Sequence, residues 1–470
     1  MRALIPMLLL ACLPGLALAA GAPRWDFEIR LEAPTGPLKL RSCTSAAQPA
    51  VRFEAGRSAS RFLIEARRTG GGRLARSGWV LEGADWAAGE CLLTRIDLAA
   101  IARADRYGLG GQPDRFWRIA PRDFLWRPAE LDAESRLRFL APPGWSASVP
   151  WRPIGNGWHR LGATPADWPA SVVFGRFEER RIERPGGVLR LAVVPVGGSL
   201  PNDEVAGWIE SVTDDLLHSH GRLPLPDVQI LVLPLPGVRG AVPWGQVQRG
   251  GGSAVHLFPG LEAGPARWRA DWTATHEFAH LLHPYLGERG RWLSEGLASY
   301  YQNVLRARSG ELGRAEAWAK LAAGFERGRR ATPEDAAPLE TVAGQRQRGS
   351  TMRVYWAGAA FWLESDLALR RQGSSLDQAL ERFAREHLPS ERRWSGEQYM
   401  AALQRLAPEG DWQARFRRHA RAETFPDIDP RVDLLAAGRG AEAPAFIREV
   451  MQGAAGIARR EAANQGAAAP

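Results

Sequence analysis

The chain has 470 residues, 45% of them hydrophobic and 24% charged, with a formal net charge of +9. That length supports two or three domains with real cores, and the composition excludes an intrinsically disordered chain. The estimated pI of 10.1 does not by itself select a nucleic-acid partner. Lys39 and Lys320 are the only lysines, and arginines run through the whole chain. Basic runs such as RFRRHARAE (415 to 423) are broken by acids and apolar residues, as on solvated helix faces.

Residues 1–19 read as a secretory signal peptide. Arg2 supplies the positive start, residues 3 to 18 the apolar core, and ALA at 17 to 19 the small-x-small cleavage pattern. Lipidation at Cys12 after LLA is the minor alternative, and the apolar run that continues past Cys12 argues against it. The mature protein is expected to be exported, periplasmic or secreted, with no nucleic-acid partner. No later run is apolar and long enough to span a bilayer. Cys43 and Cys91 remain after cleavage, and two cysteines in an oxidising compartment are expected to pair.

Residues 20–185 predict a β-rich N-terminal domain. WDFEIRLEA, RFLIEARR, GWVLEG, RLRFLAP and ASVVFGRFEERRIE alternate apolar and polar residues between Gly, Pro and Asp breaks. The many tryptophans are expected in core and rim packing. RPGG at 184 to 187 reads as a turn. A mixed α/β subdomain follows over 186–310. VLRLAVVPV and DVQILVLPLP are its buried strands, and 202–220 is an amphipathic helix with an Asn202 or Asp203 cap. SAVHLFPG (253 to 260) reads as a short edge strand. His218, His220 and His256 have no ligand spacing of their own and are read as structural. From 271 the pattern is helical, with candidates at 272–283, 293–307, 313–329, 354–371, 376–386, 395–406 and 410–421. Residues 311–435 form a helical subdomain, and 436–470 an Ala/Gly-rich, partly disordered tail. The fold class is α+β.

The chemistry concentrates in THEFAHLLHP (275 to 284), which holds three of the nine histidines. His276-Glu277-x-x-His280 is a zinc-binding pattern. Residues i and i+4 lie ~40° apart around a helix and one turn apart along it, so both imidazoles can converge on one Zn²⁺. Glu277 sits ~100° from His276; it can flank the ion and act as base toward water there. Asp271 or Thr273 caps this helix and Pro284 stops it. RWLSEGLASYYQNVL then forms a second helix after a short turn, so the two pack nearly antiparallel and Glu295 returns toward the histidines. On one continuous helix His283 would lie about 10 Å along the axis from His276, too far to share a tetrahedral ion. The HExxHxxGxxH pattern also fails, since His283 and Leu286 occupy its Gly and third His positions. The expected site is therefore His276, His280 and Glu295, with an open position for water. His283 is expected at the helix end or behind a ligand.

HEFAH followed by RWLSEGLASYYQ resembles the gluzincin (HExxH…E) metallopeptidases, closest to the glycyl-aminopeptidase-type and aminopeptidase N-like group. The resemblance implies a thermolysin-like zincin catalytic domain with a helical C-terminal part. Fourteen residues separate His280 from Glu295, fewer than is usual in aminopeptidase N or thermolysin. Ser299 falls where the family often has a partner for a zinc histidine; a packing role is the alternative. VYWAGAAFWLESDLALRRQGSSLDQAL (354 to 380) resembles the family's Tyr-x-x-Gly helix, which implies that the Tyr355 hydroxyl donates to the oxyanion. In WGQVQRGGGSAVHLF (244 to 258) the resemblance implies a substrate-binding role for Gln248, Gly252 and Ser253. Gln248 stands where the family has a Glu for the substrate's free amine, and an amide lacks the charge that attracts ammonium. A PDZ module common in the group has no counterpart. The implied protein is an exported zinc metallopeptidase acting on peptides or proteins, amino- or endopeptidase, with Glu277 as general base. The alternatives are a catalytically inactive relative serving as a peptide-binding or scaffold protein, and a chaperone whose N-terminal domain is the active part.

Overall fold

Alternation of apolar and polar residues builds the N-terminal half. In Trp25–Leu31 the side chains of Trp25, Phe27, Ile29 and Leu31 are buried, and the residues between them are more exposed. This strand runs through a seven-stranded sheet, parallel to Arg136–Leu140 and antiparallel to Leu38–Thr44. Two four-stranded sheets complete the β-rich part. The computed structural model describes residues 22–198, 200–346 and 348–452. The expected signal segment 1–19, with Cys12, and the tail beyond 452 lie outside the described residues.

The tryptophans pack as expected. Trp25, Trp86, Trp126 and Trp151 are fully buried, and Trp25 meets Phe53 edge-on at 5.2 Å. Cys43 stands opposite Cys91 where Leu38–Thr44 pairs with Cys91–Ile96, and the two form a disulfide.

The second half is built on a five-stranded sheet. Its order is Glu179–Arg184, Gly187–Val193, Asp227–Val232, Ala254–Phe258 and Trp244–Gln248. The two outer pairs are antiparallel and the two inner pairs parallel. The sheet thus opens at Glu179, inside the segment read as N-terminal domain, because the turn at 184 to 187 folds ERRIER back as a hairpin on Gly187–Val193. Ala254–Phe258, expected at an edge, is an inner strand: all five of its residues are buried. Its one polar side chain, His256, is enclosed with Nδ1 2.9 Å from Gln246 Nε2. The edge strand is Trp244–Gln248. The Asn202–His220 helix spans the expected residues, but Pro201 stands at its N-cap and no side chain caps it.

A polar seam joins the halves. The Arg190 guanidinium pairs with Asp227 (2.8 Å) and donates to the carbonyls of Val149 (2.9 Å) and Trp151 (3.2 Å). Gln229 donates to Ser148 Oγ and the Ser171 carbonyl. These buried groups bond across the junction and fix its register, although Gln229 Oε1 is left without a partner.

After residue 271 the chain is helical in every region so read, and Leu339–Gln345 adds a helix the sequence pattern did not show. The tail expected from 436 is packed up to Met451. Ile447, Val450 and Met451 are fully buried, and Arg308 Nε donates to the Val450 carbonyl (2.9 Å). Among the described residues no helix is long and apolar enough to cross a membrane.

The disulfide spans 48 residues of sequence. In the chain-entropy model that closure is worth about 3–4 kcal/mol. The Cys43→Ala/Cys91→Ala double variant is expected to lose stability of that order in a urea titration. An unchanged midpoint would show that the bridge adds nothing.

Candidate metal centre

Three helices, a 3-10 turn and one glycine contact assemble the site. Thr273–Ala279 carries His276 and Glu277, and a 3-10 turn at His280–Leu282 carries His280. Asp271 Oδ1 accepts from the Thr273 backbone N–H (2.8 Å) at the helix start. Arg291–Ser309 returns alongside and carries Glu295. Thr351–Arg370 lies across it and carries Tyr355. A Cβ on Gly296 would lie 2.3 Å from the Gly358 carbonyl carbon, and one on Gly358 would lie 1.9 Å from the Trp292 carbonyl oxygen. The two helices therefore touch backbone to backbone. That closeness explains the glycine beside Glu295 and the one a turn after Tyr355.

The three expected ligands converge. Glu295 Oε2 lies 3.3 Å from His276 Nε2 and 3.6 Å from His280 Nε2. One ligand atom from each residue lies within 4.8 Å of the others. The remaining ring nitrogens are occupied. His276 Nδ1 is 2.8 Å from Gln302 Oε1, an acceptor, so Nδ1 carries the proton and the Nε2 lone pair faces Glu295. His283 Nδ1 donates to the Pro284 carbonyl (2.8 Å), which leaves His283 Nε2 to accept from His280 Nδ1 at 3.2 Å. Ser294 Oγ is 3.2 Å from that same His280 nitrogen. Both imidazoles thus present Nε2 toward one carboxylate oxygen, the donor set and tautomers that a zinc ion requires.

Electrostatics follow from enclosure. Burial pushes the Glu295 carboxyl up, but the hydrogen bonds and charges of His276 and His280 hold it well below the usual range. Burial lowers His280 to about 4. Burial also works against His276, yet Glu295 and Glu277 raise it overall. Burial pushes Glu277 up to about 7. Burial, then the charge and hydrogen bond of Glu295, raise the Tyr355 hydroxyl above the usual phenol range, so it stays protonated and able to donate. The Tyr355 ring stacks on His276 with centroids 5.9 Å apart.

The centre opens on a cavity of about 770 Å³ lined by Glu277, His280, Glu295, Tyr355 and the edge strand. The strand presses close: a Cβ on Gly245 would lie 2.4 Å from Glu277 Cγ. The N-terminal half contributes a wall through Trp168, whose Nε1 donates to the Arg249 carbonyl (3.0 Å).

Four expectations need correction or refinement. Gln248 lines the cavity, but Gly252 and Ser253 do not. They belong to the seam: Ser253 N donates to the Pro150 carbonyl (3.2 Å), and a Cβ on Gly252 would sit 2.1 Å from that oxygen. Ser299 is buried on the Glu295 helix, but Gln302 is the residue that meets His276 Nδ1. His283 stands behind His280, but not farther along one helix, since the chain leaves the helix there with φ −145° and ψ 158°. Ser294, Gln302 and Arg249 were missed. A signal existed for Gln302, which lies seven residues, or two turns, after Glu295 and so on the same face.

Gln302→Leu is expected to weaken zinc affinity about 10–100-fold in a chelator competition while leaving the fold intact. Equal affinity would show that the amide does not orient His276. Gly358→Ala is expected to cost about 1–3 kcal/mol of stability by overpacking. An unchanged urea midpoint would contradict the backbone contact.

No protein-family model and no curated protein matches the sequence. Solved structures do match. An aminopeptidase N family protein from Idiomarina loihiensis superposes with a TM-score of 0.64 at 12% identity, covering 86% of this chain and 77% of that one. An M1 zinc metallopeptidase from Deinococcus radiodurans, solved with a Tyr-Ser-Ala substrate, gives 0.51 at 15% identity over 87% and 95%. Yeast LTA4 hydrolase in complex with bestatin gives 0.52 at 11% identity over 88% and 72%. The likeness extends well beyond the motif-bearing segments and includes the β-rich half. The chain therefore has the aminopeptidase N-like α+β fold, with a β-rich N-terminal part and a helical C-terminal part.

Proposed function

We propose that this protein is an exported zinc metallopeptidase of the M1-like gluzincin group that hydrolyses peptide bonds. The observation that carries this reading is the pair of Nε2 atoms facing Glu295 Oε2, with Glu277 beside them on an open cavity. His276, His280 and Glu295 would hold the zinc. When bound, zinc supplies a Lewis acid that polarises a carbonyl and lowers the pKa of water.

The chain's own residues would do the rest. Glu277 accepts a proton at its carboxylate and hands it to the leaving amine. Its carboxyl is enclosed and pushed up to about 7, so proton exchange near neutral pH suits it. The Tyr355 hydroxyl donates to the oxygen on which negative charge develops. One side of Trp244–Gln248 pairs with Ala254–Phe258, and its other side lines the cavity, where an extended peptide can add as a further strand. Gln248 offers an amide to that peptide. The Cys43–Cys91 disulfide supports export to an oxidising compartment.

The test pairs metal content with hydrolysis. The purified chain is expected to hold one zinc and to cleave members of a peptide library. Glu277→Gln is expected to keep the zinc and lose about 10²–10⁴-fold in rate. Zinc-loaded protein that cleaves nothing in the library would favour the peptide-binding scaffold instead.

A further inference from the structure

Five arginines line the cavity: Arg249, Arg291, Arg346, Arg392 and Arg393. Outside Glu277 and Glu295 its only acids among the described residues are Asp167, Glu288 and Glu391. Glu288 is taken, since Arg346 grips it through Nε (2.6 Å) and Nη2 (2.9 Å). Glu391 accepts from the Ala163 backbone N–H (2.7 Å). Asp167 and Glu391, neither in an ion pair among the described residues, remain to face four guanidinium groups.

Those four make no ion pair among the described residues. Arg392 lies over the Trp394 ring at 3.8 Å and Arg393 over Tyr285 at 5.8 Å. The inner two matter most. Arg249 directs Nη1 at the His280 (2.5 Å) and His283 (3.2 Å) carbonyls, and its Nε is enclosed with no partner. Arg291 Nε is likewise enclosed without a partner. Arg291 opens the Glu295 helix, so the positive end of that helix adds to its charge. Its field reaches both Tyr355 and Glu288.

Elsewhere the buried Arg68, Arg190, Arg308, Arg370 and Arg415 meet Glu90, Asp227, Asp377, Asp366 and Glu364, whereas Arg306 and Arg353 meet only backbone carbonyls and line no substrate-sized cavity. An enclosed guanidinium with unmet N–H groups beside a substrate-sized cavity is a site for a planar anion. A substrate ammonium would be repelled at the same place.

We infer that the cavity selects peptides carrying a carboxylate close to the scissile bond, received by Arg291 and Arg249. The carboxylate comes from an Asp or Glu side chain or from the peptide's C-terminus. This rests on the peptidase reading for its location, but not for its test.

The test measures binding to zinc-loaded full-length Glu277→Gln protein by fluorescence anisotropy. The probes are three labelled, N-acetylated peptides of one core sequence. One has Glu beside the central bond and an amidated C-terminus. One has Gln there and an amidated end. The third has Gln and a free C-terminal carboxylate. At low ionic strength at least one carboxylate peptide is expected to bind about 10-fold tighter than the neutral one. The tighter of the two identifies the source. The preference should shrink at about 0.5 M salt. Adding Arg291→Gln should bring it to within about twofold, and Arg291→Lys should restore part of it. Arg249→Gln is the second arm, read only if its circular dichroism matches the parent protein. Equal binding of all three peptides overturns the inference, as does a preference that survives both arginine changes. A clear preference in a chain whose parent hydrolyses nothing would sink the peptidase reading alone.

Discussion

The missing side chains of Gly296 and Gly358 are the constraint on which the site depends. Glu295 stands next to one glycine and Tyr355 one turn before the other. Because a Cβ on either would overlap main-chain atoms of the facing helix, the helices meet at their backbones. This places the Tyr355 ring against His276 and its hydroxyl in the field of Glu295. A wider spacing would separate the carboxylate from the phenol that faces it. Gly245 repeats the device on the opposite wall, bringing the edge strand against Glu277.

A second layer of hydrogen bonds sets which nitrogen each histidine presents. Antiparallel helices explain its order. Ser294, early on the Glu295 helix, reaches His280; Gln302, two turns later, reaches His276. His283 completes the layer through a backbone carbonyl, since its bond to Pro284 O leaves Nε2 as an acceptor. A histidine that shares a motif with His276 and His280 thus fixes the tautomer of His280.

The parts of the site that were legible in the sequence are those set by local periodicity. His276 and His280 are one helical turn apart, and a short turn forces Glu295 back beside them. What was not legible depends on long-range packing. Ala254–Phe258 looked like an edge because glycines precede it and a proline follows it, yet full burial places it inside the sheet. Gly252 and Ser253 looked available to substrate, but their neighbour is Pro150, about a hundred residues earlier in the chain. Ser299 lay on the right helix, but only the longer Gln302 side chain reaches the imidazole. The β-rich half carried no motif, although it shares the fold of solved structures at identities of 11–15%.

The central claim is that His276, His280 and Glu295 hold one zinc ion, with both histidines bound through Nε2. Anomalous diffraction at the zinc edge, from crystals of the metal-loaded protein, tests this most directly. The account predicts a single strong peak about 2.0–2.2 Å from His276 Nε2, His280 Nε2 and a Glu295 oxygen. A peak bound by His283, by an Nδ1 atom, or away from Glu295 would contradict it.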